Sequence, residues 1–572
     1  MKHICRPIYT SALLFSCLFF ISRSLAQNQN SNSPNLGEIH GNFEMDMQYY
    51  NPDSTIKAPA VPEKTLMNGF LNLLYTRDNF TAGLRYEAYL GALQGYDPRY
   101  KGTGIMYRFA TYKTDQLEIT VGGFYEQFGS GLILRTYEDR GLGFDNALDG
   151  IRFKMTPHKG IHLKGVYGLQ RSFMTYGPGT VRGIDGEIVL NEFFDNLANK
   201  KTNVILGASF VSKFQADNGT GTYVVPQNVG AWSERLNIHR GKVNLYAEYA
   251  YKINDPSFTN NYNYRAGQAL FITGSYSQKG LGISLSGIRT DNMDYRSDRT
   301  ASVNNLLINY LPCLTKQQTY SMLNFYPYAT QALGEIGYQA EVTYKIKKGT
   351  LLGGPYGTLV VANYSTFYGL DSTKLDPKSD SARMGYKVNH FLGASDKYFE
   401  DFNVEIDHKF TQNFKAIGMY ASQVYNKAII QGEPGEKTIY SQIGVMDLIY
   451  KINDTFSIRM EMEHLYTKQD MGSWASALVE FTIAPKYFVA LSDQWNYRSF
   501  TPATPGQENY FNKELVGPRG IHYFNVNAGY IHKTTRYQIG YGKQRAGIFC
   551  VGGVCRYVPA SNGITLSVIS NF

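Results

Sequence analysis

The chain has no apolar run of roughly 18 or more residues past its first 26, which excludes a helical membrane span. Cysteine is scarce, five in 572 residues, so a disulfide framework does not hold the fold. Tryptophan is scarcer still, with three, and the aromatic content falls to 46 tyrosines and 33 phenylalanines. No block of like charge occurs, which argues against nucleic acid as a partner. His-Glu-x-x-His, Gly-x-Ser-x-Gly and Gly-x-x-x-x-Gly-Lys are all missing. His40, His158, His162, His239, His390, His408, His464, His522 and His532 are scattered singly. The residues therefore point to no enzyme, no metal and no other cofactor. No fixed-period repeat is found, which argues against a propeller.

What is present is alternation. Val243, Leu245, Ala247, Tyr249 and Tyr251 trade places with Asn244, Tyr246, Glu248, Ala250 and Lys252, so one face is apolar and the other can meet water. The same pattern sets Ile336, Tyr338, Ala340, Val342, Tyr344 and Ile346 against Gln339, Glu341, Thr343 and Lys345. Phe456, Ile458, Met460 and Met462 oppose Ser457, Arg459, Glu461 and Glu463. Between such segments every second connection is tight. These are Arg77-Asp78-Asn79, Lys113 to Gln116, Pro157 to Gly160, Arg240-Gly241, Lys279-Gly280, Thr411 to Asn413, Asn453-Asp454, Pro485-Lys486 and Lys533 to Thr535. The others, such as Thr290 to Gly334, Asp371 to Ser395 and Ser499 to Gly520, are long and polar.

Short turns on one side and long loops on the other predict a transmembrane antiparallel β-barrel in the cell outer membrane, all-β in class, its short turns periplasmic. A soluble sandwich or propeller also alternates, but has no reason to keep short and long connections in step. Segment counting predicts about 24 strands, with a range of about 22 to 26 because Val181 to Leu190 and Gly230 to His239 alternate weakly. A mean hydropathy of −0.31 fits a wall greasy on alternate residues.

Lys2 and Arg6 precede the apolar run Ala12 to Ile21, and Ser24-Leu25-Ala26 offers a cleavage site. This predicts a signal peptide over 1–26, a short periplasmic segment over 27–37 and the barrel over 38–572. Leu14-Phe15-Ser16-Cys17 is a rival lipoprotein box that fits less well. The net charge of +9 falls to +6 once Lys2, Arg6 and Arg23 leave with the leader. That excess suits lipopolysaccharide and outer-membrane lipid at the rim, or a lumen favouring anions. The aromatics suit interfacial girdles, with carbohydrate stacking as the alternative.

About 24 strands enclose a cylinder about 45–50 Å across, which cannot stand empty. About ten residues separate Gln27 from the first strand, too few for an N-terminal plug of the TonB-dependent kind, so filler must come from loops or another protein. One candidate runs from Gly129 to Asn146, its Leu132 and Leu134 as anchors and Arg135, Glu138, Asp139, Arg140 and Asp145 lining a constriction with Asp149 and Arg152. The second, Asn304 to Tyr328, is unusually apolar for a loop and suits packing in the lumen with a short helix. Both could instead be ordered surface loops. Asp145-Asn146 with Asp149-Gly150 has the wrong spacing for an EF-hand; these acids are expected to neutralise Arg135, Arg140 and Arg152.

Cys550 and Cys555 flank Val551-Gly552-Gly553-Val554, and a disulfide-closed loop tip is expected, worth about 2 kcal/mol on chain entropy. A metal reading is weak there because no histidine is near. Cys313 is expected to be an unreactive single thiol. The final strand sets Ile564, Leu566, Val568 and Phe572 against Thr565, Ser567 and Asn571, and its terminal Phe572 resembles the signal read by barrel-assembly machinery.

Two stretches, Arg135 to Asn146 and Gly547 to Pro559, resemble an uncharacterised family of large outer-membrane barrels from Bacteroidota, with similarity over most of the mature chain. The resemblance implies an envelope barrel and transfers no catalytic residues. Two functions stay open: a channel or transport pore for small solutes, narrowed by the Arg135 to Arg152 region, and a loop-occluded structural subunit docking partner proteins of the envelope.

Overall fold

A computed structural model describes residues 36–217, 219, 224–375, 385–498 and 520–572. The expected leader, most of segment 27–37 and nearly all of the Ser499 to Gly520 loop lie outside the described residues. Twenty-four strands form one antiparallel sheet in chain order, each pairing with its sequence neighbours. The first strand, Glu38–Tyr50, pairs with the last, Ser561–Asn571, from Asn42↔Asn571 to Tyr50↔Gly563, so the sheet closes into a barrel. At the seam Gly41 and Phe572 exchange backbone hydrogen bonds of 2.7 and 2.9 Å. A Cβ on Gly41 would come within 2.2 Å of the Phe572 ring, so a larger residue there would have to displace that ring.

All nine tight turns read from the sequence are found, for example Lys279-Gly280 between Gly267–Gln278 and Leu281–Asp291. Strict alternation of short and long connections fails in places. On the short-turn side, 190–201 holds a helical turn Leu190–Phe193 and 347–357 is a longer loop. On the long-loop side, Ile161–Ser172 and Thr175–Val189 are joined by 173–174 alone, with Phe173 at φ 56°.

The wall is two-faced as the alternation requires. Along Asn228–Arg240 the buried inner residues are Val229, Ala231, Ser233 and Arg235, while Trp232 and Leu236 are exposed on the outside. Large apolar side chains form the outer surface, among them Leu285 at 58% exposure, Val121, Ile151, Tyr167, Leu245 and Ile539. That face is the lipid-facing one, because so much apolar surface is stable only against hydrocarbon.

Leu285→Arg, on the outer face near the middle of Leu281–Asp291, is expected to destabilise the barrel by about 2–4 kcal/mol, and Ser286→Arg on the inner face by less than half as much. Reversible urea unfolding in lipid vesicles measures both; equal costs would contradict the two-faced wall.

Candidate functional site

The interior is filled by the two loops singled out from the sequence. In the first, residues 125–147, Leu132, Ile133 and Leu134 are fully buried and pack on Val166, Val181, Val211, Val229, Ala231, Ala250 and Ala269 of the inner wall. Its tip is held by Glu248, which accepts hydrogen bonds from the Ser130 N–H (2.7 Å) and hydroxyl (2.6 Å). Gly129 beside it has φ +52°, and a Cβ there would meet the Glu248 carboxylate at 2.5 Å. Only glycine combines that conformation with that approach.

The second loop, residues 292–333, crosses the rest of the bore. Tyr320, Met322, Leu323, Phe325, Tyr326 and Tyr328 pack on inward residues that include Phe367, Phe399, Tyr425, Leu465 and Trp474. Tyr328 stacks on Phe367 at 4.1 Å and Phe325 meets Trp474 edge-on at 5.0 Å. A short 3-10 turn, Met322–Asn324, is capped by Glu463, which accepts from Ser321 N–H, Ser321 hydroxyl (2.7 Å) and Met322 N–H (2.9 Å). The two loops are bonded to each other. Arg135 N–H donates to Ile308 O and Tyr310 N–H to Gly131 O, both at 2.9 Å. The Asn309 amide donates to Leu132 O at 3.1 Å.

Charged groups register this filling against the wall. Arg171 grips Glu87 through two bonds of 2.6 Å and Asp145 through one of 2.7 Å. Arg85 also pairs with Asp145, with Glu87 at 2.8 Å and with Glu138 at 2.6 Å. Arg85, Glu87 and Arg171 belong to the wall and Asp145 and Glu138 to the loop. Arg140 closes the set on Glu138 at 2.8 Å and on Glu44 of the first strand. Burial opposes ionisation of Glu126 in the loop, but Lys164 and Lys154 outweigh it and hold the carboxyl below the usual range. In the second loop burial likewise opposes Asp294, and Arg296 and Thr259 hold it low. Burial pushes the Cys313 thiol up to about 12, so it carries no thiolate at neutral pH.

The expected site residues therefore divide. Arg135 lies over the rings of Tyr310 (4.0 Å) and Tyr137 (4.8 Å), joining the loops by cation–π contact. Asp139 caps a turn through Leu142 N–H at 2.9 Å. Arg152 faces inward and pairs with Glu118 at 2.6 Å. Asp149 does not stand where the sequence places it. Strand alternation turns it outward beside exposed Ile151, where it pairs with Arg108 at 2.7 Å, so it lines no constriction. The expected neutralisation of Arg135, Arg140 and Arg152 by Asp145 and Asp149 is also replaced, since those acids meet Arg85, Arg171 and Arg108. Cys550 and Cys555 form the disulfide, between the paired strands Gly547–Val551 and Val554–Val558. Arg85, Glu87, Arg171, Glu248 and Glu463 were not singled out from the sequence; inward polar residues of a wet wall and of a plug-gripping wall look alike in one strand.

Several solved barrels are similar in architecture at low identity. The siderophore receptor PirA of Pseudomonas aeruginosa matches at TM-score 0.40 and 9% identity, over 94% of this chain and 81% of its own. The P pilus usher PapC translocation pore matches at 0.42 and 9%, over 93% and 99%. OccK3 (OpdO) of Pseudomonas aeruginosa matches at 0.32 and 10%, over 80% and 96%. No curated protein matches the chain. A model of a protein family of unknown function, DUF6029, matches residues 7–572, and the chain belongs to that family.

Proposed function

We propose that the protein is an outer-membrane barrel for small solutes whose bore is closed at rest by its own loops and conducts only when they are displaced. The carrying observation is the packing of the two loops against inward residues on both sides of the bore, with Leu132, Ile133 and Leu134 fully buried. Exposing those three side chains costs about 1.5–3 kcal/mol each, so at least about 4.5 kcal/mol in all. At about 1.4 kcal/mol per factor of ten, that leaves an open fraction below about one in a thousand. Lipid and lipopolysaccharide surround the wall in this reading, barrel-assembly machinery inserts it by way of Phe572, and no catalytic step is involved.

A second reading, a closed subunit docking an envelope partner, is favoured by one observation. Glu234 lies on the lipid-facing side midway along Asn228–Arg240, and among the described residues no ion pair engages it. It borders an outer groove where Gly186, Ala208 and Ala247 leave room beside Leu206, Leu236 and Tyr249. A cationic side chain of a membrane partner would suit that carboxylate.

Planar-bilayer recording tests the first reading. The native protein is expected to be electrically silent, and the double variant Leu132→Asp/Leu134→Asp to give discrete openings. Asp145→Asn, which leaves Arg171 and Arg85 short of a buried partner at a cost of about 3–5 kcal/mol, is expected to give brief openings. Steady native conductance would contradict the closed bore; silence in all variants with a co-purifying partner would favour the subunit.

The pH response has a defined sign. Glu126 and Asp294 have lower pKa values in the seated plug than when released, so their contribution is full above the ordinary carboxylate range and is lost as pH falls through the depressed values. Openings are therefore expected to rise only below about pH 4. Openings that begin near neutrality on acidification would contradict these anchors.

A further inference from the structure

At the long-loop end five segments, one of them the tight turn at Phe173, enclose a pocket of about 370 Å³. Tyr96, Arg99 and Tyr100 come from the loop after Phe80–Tyr89, and Leu142 and Gly143 from the first plug loop. Ser302 to Leu306 come from the second, and Arg556, Tyr557 and Pro559 from the disulfide-closed hairpin and its exit. Its volume is within the range of small-molecule sites.

The charges around this pocket are matched, with one exception. Asp97 and Arg99 pair at 2.8 Å, and Asp145 is taken by Arg85 and Arg171. Asp139 acts on Arg556 only at a distance, its Oδ1 taken by Leu142 N–H. Arg556 has no carboxylate within ion-pair reach among the described residues. Its Nε and Nη1 are buried without a hydrogen-bond partner, and its guanidinium lies over Tyr96 at 4.5 Å. A half-buried arginine left without an anion is costly unless something supplies one.

The pocket's build points the same way. Its rim holds Val303 at φ 54° and Leu306 at φ 56°, conformations that β-branched and bulky residues rarely adopt. Arg556 directly follows Cys555, and Asn304 bonds the Cys555 carbonyl, so the disulfide and the second plug loop fix where the guanidinium stands. Around it, Ser302, Asn304 and Asn305 offer polar groups, while Tyr100, Phe173 and Pro559 offer apolar faces.

We infer that this pocket binds an acidic sugar, its carboxylate on Arg556 and its hydroxylated ring held by the asparagines and the aromatic wall. The site stands at the barrel mouth, and its occupancy is read separately from whether the bore conducts.

Isothermal titration of the full-length protein in detergent with D-glucuronate, D-glucose and inorganic phosphate tests this. Glucuronate is expected to bind at one site, with glucose and phosphate each at least about tenfold weaker, since neither carries both charge and ring. Arg556→Gln is expected to lose at least about tenfold, Arg556→Lys to lose less, and Arg77→Gln at the far end of the barrel to match the native protein. Cys550→Ser/Cys555→Ser is expected to weaken glucuronate binding while the barrel melts as before. Glucuronate failing to bind, binding equally to Arg556→Gln, or binding no more tightly than phosphate would each overturn the inference.

Discussion

The breadth of the closed wall is the constraint the rest of the molecule answers to. Side chains from a ring of 24 strands cannot meet across a space tens of ångströms wide, so the interior has to be built from connecting segments. That requirement changes the wall itself. Where the loops press on it, the inner face carries Val181, Val211, Val229, Ala231, Ala250 and Ala269 in place of polar groups. The molecule thus has a protein-like core inside a membrane-spanning shell, and at those positions its wall is apolar inside, between inward polar residues such as Ser209, Ser233 and Glu248.

Apolar burial and ion pairing do different work in this core. The fully buried aliphatics and stacked aromatics supply the larger share of the holding energy, because desolvating charges offsets most of what their attraction returns. What Arg85, Glu87, Arg171 and Asp145 contribute is placement: each carboxylate is gripped from more than one direction, so the loop has one seat. Glu248 and Glu463 do the same for loop tips by accepting backbone N–H groups that would otherwise be stranded in the interior.

Much of this was legible in the residues, and the failures have physical causes. The turns, the strand number and both inward loops follow from turn chemistry, two-residue periodicity and the width of the bore. Val181 to Leu190 and Gly230 to His239 read weakly because the contrast is broken on both faces: Val181 and Ala231 turn inward against the plug, while Gly186, Gly230 and Glu234 stand on the outside. Asp149 follows directly on the inward loop in sequence and reads as part of its charged lining; its partner Arg108 sits 41 residues earlier, and only the sheet register brings them together. The unmatched charge of Arg556 was hidden for a related reason, since whether an arginine has a partner depends on which loops converge on it.

The span of the plug's contacts dictates when it can form. Ser130 meets a residue 118 positions away, Ser321 one 142 away and Asn304 one 251 away. Such distant pairings come late, after the intervening chain is in place. Asn42 and Asn571 at the seam are 529 positions apart, further than any of these, so by the same rule the loops can seat while the sheet is still open and the wall closes around a cork already in place.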